Sequence, residues 1–114
     1  MISEDVKLAP MNEDDLEIVM AWRSHPDVYR HFYAQKGPLT WREHYNFWSS
    51  RKNREDWIIF YNEDKRWRKV GSINVSNLDE EFPDIGILIG EITLQGRGIG
   101  TKALSLFLDY FWRQ

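Results

Sequence analysis

The stretch Asp84-Ile85-Gly86-Ile87-Leu88-Ile89-Gly90 leads through Glu91-Ile92-Thr93-Leu94 into Gln95-Gly96-Arg97-Gly98-Ile99-Gly100. Its first part alternates as a strand does. Ile85, Ile87 and Ile89 fall on one face, and Gly86, Leu88 and Gly90 on the other. Glycine weakens a strand, and repeated glycine on one face marks close approach by a backbone or a ligand. From Gly98 onward the period changes to that of a helix. Lys102, Ser105, Asp109 and Arg113 keep to a narrow polar stripe, and apolar residues fill the remaining arc, which calls for burial against a sheet and a further neighbour. A glycine-rich turn opening such a helix leaves several backbone N–H groups without intrahelical partners. With the positive end of the helix dipole they form a pocket for phosphate oxygens, beside which Arg97 adds a positive charge.

Upstream, residues 5–9 read as a short strand closed by Pro10. Asn12 reads as an N-cap, with Glu13, Asp14 and Asp15 in a first turn whose dipole favours negative charge. A helix of about three turns follows on Leu16, Val19 and Met20 and breaks at Ser24-His25-Pro26-Asp27. Pro26 opens a second short helix carrying Val28, His31 and Phe32. After Gly37-Pro38, Thr40-Trp41-Arg42-Glu43 is a capping box, and Trp41, Tyr45 and Trp48 continue a helix to about Arg51. Trp57 to Tyr61 is a strand, Asn62 to Lys65 a turn, Val70 to Val75 a second strand, Asn77 to Glu81 another turn, and Ile85 to Ile92 a third strand. Turns this close to their strands imply an antiparallel meander.

Composition narrows the function. The 114 residues are 42% apolar and 15% aromatic, too rich for a disordered chain and of a length that suits one domain. A net charge of −3 argues against binding that rests on neutralising nucleic-acid phosphates. The absence of cysteine removes disulfides and thiolate zinc sites. His25, His31 and His44 show no metal-ligand spacing, and they read as surface or loop residues. No apolar run approaches the roughly 18 residues of a membrane span, and the acidic N-terminus is unlike a signal peptide, so the expected setting is the cytoplasm.

Three phosphate-loop readings compete for the turn. A dinucleotide fingerprint counted from Gly96 finds Thr101 where its third glycine belongs, and a P-loop needs Lys before Ser/Thr whereas Thr101 precedes Lys102. The pattern Gln95-x-x-Gly98-x-Gly100 between strand and helix instead resembles the pyrophosphate loop of the GNAT acetyltransferases. Trp22-Arg23-Ser24-His25-Pro26-Asp27-Val28, Val70-Gly71-Ser72-Ile73 and Asp84-Ile85-Gly86-Ile87 are similar to the branch holding ribosomal-protein N-terminal, spermidine and amino-sugar acetyltransferases. The resemblance implies an α+β fold of the α/β three-layer type, with a mixed, mainly antiparallel sheet flanked by helices. It covers residues 1–114 as a single domain, but only the N-terminal two-thirds of a usual member. The chain reads as cut short after its last helix, without the usual C-terminal strands.

The resemblance further implies acetyl-CoA as co-substrate, no metal, and a primary amine as acceptor: a protein N-terminus, a polyamine or an amino sugar. The pantetheine arm would lie along Leu88, Ile89 and Gly90. The pyrophosphate would sit on Gln95, Gly96, Arg97, Gly98, Ile99, Gly100 and Thr101, largely through backbone. Asp84 matches the position of a general base in some members, with Glu91 the second candidate. Against each stands a plainer reading, Asp84 as a turn-edge carboxylate and Glu91 as a solvated loop charge. Trp22, Trp41, Tyr45 and Trp48 are candidates for an acceptor wall or, more simply, for core. The alternative function is a catalytically incomplete coenzyme A-binding or self-associating unit, pairing as a homodimer through an exposed sheet edge.

Overall fold

The computed structural model describes residues 2–29, 40–50 and 52–112. Its strands are β1 (Val6–Pro10), β2 (Glu55–Glu63), β3 (Arg66–Ser76) and β4 (Asp84–Ile89), and its helices are α1 (Leu16–Arg23), α2 (Pro26–Tyr29), α3 (Trp41–Ser50) and α4 (Ile99–Trp112). The strands form one antiparallel sheet in the order β1-β2-β3-β4. The expected α+β fold, an antiparallel sheet flanked by helices, is what the chain adopts. Arg30 to Leu39, with His31, Phe32 and Gly37-Pro38, lie outside the described residues, as does Arg51.

Two short apolar layers hold helices to the two faces of the sheet. On one face Val6, Leu8, Ile59, Val70, Ile73 and Val75 pack with Ile99, Ala103 and Phe107 of α4. On the other, Ile58 and Leu88 pack with Leu16, Val19, Trp22 and Val28 of α1 and α2. The alternation of β4 is thus used in full: Ile87 and Ile89 pack toward α4, and Leu88 toward α1.

Local chemistry fixes the joints. Asp64 and Lys65 both take positive φ (52° and 66°), the geometry of a two-residue hairpin between Glu63 and Arg66. The expected turn at residues 62–65 is therefore shorter, because Asn62 and Glu63 still pair within β2. Asn12 caps a 3-10 turn at Glu13–Asp15, and Asp15 bonds back to the Asn12 N–H at 3.0 Å. Asp15 is 3% exposed, and Lys69 of β3 pairs with its carboxylate at 2.6 Å, tying this turn to the sheet. The capping box of α3 forms as read. Glu43 N–H donates to Thr40 Oγ1, and the Thr40 hydroxyl and Thr40 N–H both donate to Glu43 Oε1; the hydroxyl bond first and the N–H bond second hold the Glu43 carboxyl below its ordinary range.

Two expectations fail. The buried stripe of α3 does not run through Trp41 and Tyr45, which are 49% and 43% exposed. It runs through His44, which is 1% exposed, so His44 is a core residue and not a surface histidine. Its Nε2–H donates to the Leu16 carbonyl at 2.9 Å, joining α3 to α1. Burial pushes its pKa below the ordinary 6.5, with the Leu16 carbonyl opposing and the Arg23 charge adding to the effect. The third strand also ends early, at Ile89 rather than Ile92, because Gly90 and Glu91 both donate to the single carbonyl of Val70 (2.8 and 3.3 Å). Two residues opposite one make a β-bulge, which ends the ladder and turns the chain into a 3-10 turn at Ile92–Leu94.

Candidate functional site

The bulge and the helix start create a continuous polar track at the open side of β4. Gly96 and Gly98 both take φ of +79°, a backbone conformation that L side chains rarely adopt, and open space lies where a Cβ would project from each. The first helical bond of α4 runs from Lys102 N–H to the Gly98 carbonyl at 3.0 Å. The N–H groups of Ile99, Gly100 and Thr101 therefore have no carbonyl one turn behind them inside the helix. Gly98, at the cap, has no side chain to satisfy them. Ile99, Gly100 and Thr101 line a hollow of about 330 Å³ together with Ile89, Leu94, Gln95, Gly96 and Gly98. Arg97 is exposed and is not among the described residues lining that hollow.

Gln95 has a specific structural task. Its Nε2 donates to the Ile89 carbonyl at 2.9 Å and so locks the turn to the end of β4. That contact also reports strand orientation. The Gly90 N–H points to Val70 of β3, so by antiparallel alternation the peptide groups of Leu88 and Gly86 face β3 as well, and those of Ile85, Ile87 and Ile89 face the open edge. Among Leu88, Ile89 and Gly90, Ile89 is the one turned outward. Ile87, which sequence reading did not single out, is turned outward with it, and the period of two was the signal that identifies it. Among the described residues no strand pairs with this edge.

The glycines on the opposite face are approached by the chain itself. A Cβ at Gly90 would sit 2.0 Å from Cγ of Trp22, so the absence of a side chain is what lets the α1 indole lie flat against the end of β4. A Cβ at Gly86 would sit 2.9 Å from the Asn74 amide. Trp22 Nε1–H in turn points to Glu91 Oε1 at 3.4 Å, and Arg68 Nη2 lies 3.4 Å from Glu91 Oε2. Glu91 is thus a half-buried strut between α1, β3 and the bulge. Asp84 is exposed at the start of β4, where its Oδ2 accepts from Asn77 Nδ2 at 2.7 Å. It shares the face of Gly86 and Leu88. Asp84 and Glu91 are seven positions apart, roughly 20 Å along a strand, so the two carboxylates do not serve one reacting atom.

Between that face of β3 and β4 and the helices α1 and α3 lies a cavity of about 230 Å³. Ser72, Asn74, Gly86 and Leu88 line its sheet side, and Arg23 and Phe47 line its helix side. Trp41 and Tyr45 are not among the described lining residues. The described residues contain no cluster of three or more His, Asp or Glu positioned for a metal ion, and no helix among them is long and apolar enough to cross a membrane.

A family model described as the Acetyltransferase (GNAT) domain matches residues 5–114. The chain belongs to this GNAT family. The chain is similar to part of an uncharacterized protein of Methanocaldococcus jannaschii, 52% identical over 111 residues; the match takes in 96% of this chain and 23% of that protein, so the chain spans about a quarter of its length. A crystal structure of a domain from the same organism is 49% identical and superposes with a TM-score of 0.92, over 96% of this chain and 72% of that one. A spermidine N-acetyltransferase chimera from Vibrio cholerae and hSSAT shares the GNAT fold with a TM-score of 0.70 at 14% identity, over 92% of this chain and 61% of that one.

Proposed function

We propose that this GNAT domain transfers the acetyl group of acetyl-coenzyme A to a primary amine, on a protein N-terminus, a polyamine or an amino sugar, in the cytoplasm. The observation that carries the reading is the turn of Gly96 and Gly98, both at positive φ, with Ile99, Gly100 and Thr101 lining the same hollow. That cradle suits a diphosphate: it is built of backbone donors, lies on the positive end of a 14-residue helix, and has room where side chains would stand.

Beside it, the outward N–H and carbonyl of Ile87 and the outward N–H of Ile89, whose carbonyl is held by Gln95, would pair with the extended arm of the cofactor along the segment Leu88 to Gly90, as an added strand does. Bound acetyl-coenzyme A supplies an activated thioester. The amine must be neutral to attack it, and Asp84, on the pocket face one pleat from Gly86, is assigned as the general base acting through water. Glu91 is the alternative base, but its engagement by Trp22 and Arg68 favours a positioning role. Calorimetry with coenzyme A, followed by mass spectrometry of an amine mixture incubated with acetyl-coenzyme A, tests the proposal. Binding with a 42-dalton gain on an amine supports it; no binding overturns it.

The open edge favours a second reading. Phe82 is 79% exposed and Ile85 is 42% exposed, at the start of a strand whose outer peptide groups face outward. Such an edge templates pairing with another strand, here that of a second copy. A dimer in analytical ultracentrifugation that Ile85→Lys dissociates supports this pairing, and a monomer at all concentrations excludes it.

A further inference from the structure

The cavity under α1 and α3 is charged in a way that selects its occupant. Among the described residues lining it, Arg23 and Arg54 are cationic and Asp56 is the one carboxylate. Arg54 grips Asp56 through both oxygens, at 3.0 and 2.8 Å, and the Asp56 side chain is 7% exposed. Both guanidinium groups also lie against the ring of Phe47, Arg54 at 4.6 Å and Arg23 at 5.7 Å from its centroid. Two like charges are therefore held beside one apolar ring, with the Asp56 carboxylate bound to Arg54. Burial holds Arg23 below its ordinary value, and repulsion from Arg54 adds to this while Asp56 opposes it. Among the described lining residues cationic side chains outnumber the carboxylate, which disfavours an incoming cation. An anion offsets that excess, and the planar fork of a guanidinium matches the oxygens of phosphate or carboxylate. Ser72 and Asn74 add a hydroxyl and an amide on the sheet side.

We propose that the amine accepted in this cavity carries an anionic group, a phosphate or a carboxylate, which docks against Arg23 and Arg54. The inference rests on the acetyl-transfer reading of the same site and selects within it against a polyamine.

The test titrates three short primary amines into the full chain saturated with coenzyme A, so that the turn at Gly96 is already filled. The amines are 3-aminopropyl phosphate, 4-aminobutyrate and 1,3-diaminopropane, alike in reach and different in the charge at the far end. At least one anionic amine is expected to bind about tenfold or more tightly than the diamine, and Arg23→Gln is expected to remove most of that preference. The phosphate and carboxylate arms then identify which anion is read. Arg54→Lys, which keeps the charge, is expected to retain part of the preference and guards against a variant that fails to fold. The inference is overturned if the diamine binds as tightly as both anionic amines, if neither anionic amine binds, or if the preference survives in both Arg23→Gln and Arg54→Gln. Failure to bind coenzyme A in the first titration would instead strike the acetyl-transfer reading itself, and this inference with it.

Discussion

The two faces of the sheet are made from the same strands and do different work. On the α4 face, Val70, Ile73 and Val75 of β3 meet Ile99, Ala103 and Phe107, and each of these residues is at most 4% exposed. On the opposite face Ser72 and Asn74 alternate with Ile73 and Val75 along β3, and they look into a cavity flanked by arginines, while Val70 joins the closed face through the register shift between β2 and β3. A period of two lets one strand be core on one side and site on the other, so stability and recognition occupy alternate residues of one segment. Changes on the closed face should cost folding, and changes on the open side should cost ligand.

The largest expected effect tests the closed face. Phe107 is 1% exposed, and Phe107→Ala removes a ring from the centre of that layer. We expect a loss of about 3–5 kcal/mol in denaturant unfolding, with coenzyme A affinity unchanged in the molecules that stay folded. Loss of affinity at full folding would break the separation of the faces. Next comes Asp84→Asn, expected to lower kcat about 10²-fold, near 2.7 kcal/mol, with unfolding free energy nearly constant because the residue is exposed. If Glu91→Gln gives the larger loss in kcat and Asp84→Asn almost none, the base is at the other end of β4.

Gly98→Ala forces a side chain into φ of +79°. It should cost about 1 kcal/mol of stability and weaken coenzyme A binding about tenfold, because the N–H groups of α4 move with the strain. The smallest effect sharpens the comparison through pH. His44 is buried and its pKa is depressed in the folded state, so the unfolded chain binds the proton more readily. The contribution of neutral His44 is complete above the unfolded value near 6.5 and is lost as pH falls below it. Unfolding free energy should therefore drop between pH 7.5 and 5.5, and His44→Gln should flatten that slope. An unchanged slope in the variant would assign the pH response elsewhere.

Most of the site track was legible because it is written in local chemistry. Glycines at 96 and 98 announce positive φ, Thr40 and Glu43 announce a cap, and the isoleucines of β4 announce a period of two. What escaped was set by contacts between distant segments. The bulge at Gly90 and Glu91 arises from a carbonyl on β3, and it ended the strand three residues before its apolar pattern did. The glycines at 86 and 90 were rightly read as sites of close approach, but the approaching groups are Asn74 and Trp22. On α3 the aromatic spacing of Trp41, Tyr45 and Trp48 suggested one face, and the helix buries an adjacent one through His44, whose partner carbonyl on α1 lies 28 residues away in sequence. The cavity arginines belong to the same class. Arg23 ends α1 and Arg54 precedes β2, and no local pattern brings them to one phenylalanine.

The central claim is that the turn after β4 and the outward edge of that strand together hold the cofactor. Backbone amide chemical shifts, recorded while coenzyme A is added to the labelled chain, test it most directly. The account requires the largest shifts at Gly96 through Thr101 and at Ile87 and Ile89, with small ones at Ile73 and Val75 in the closed layer. Saturable binding whose shifts leave Gly98, Gly100 and Ile89 unmoved would contradict it.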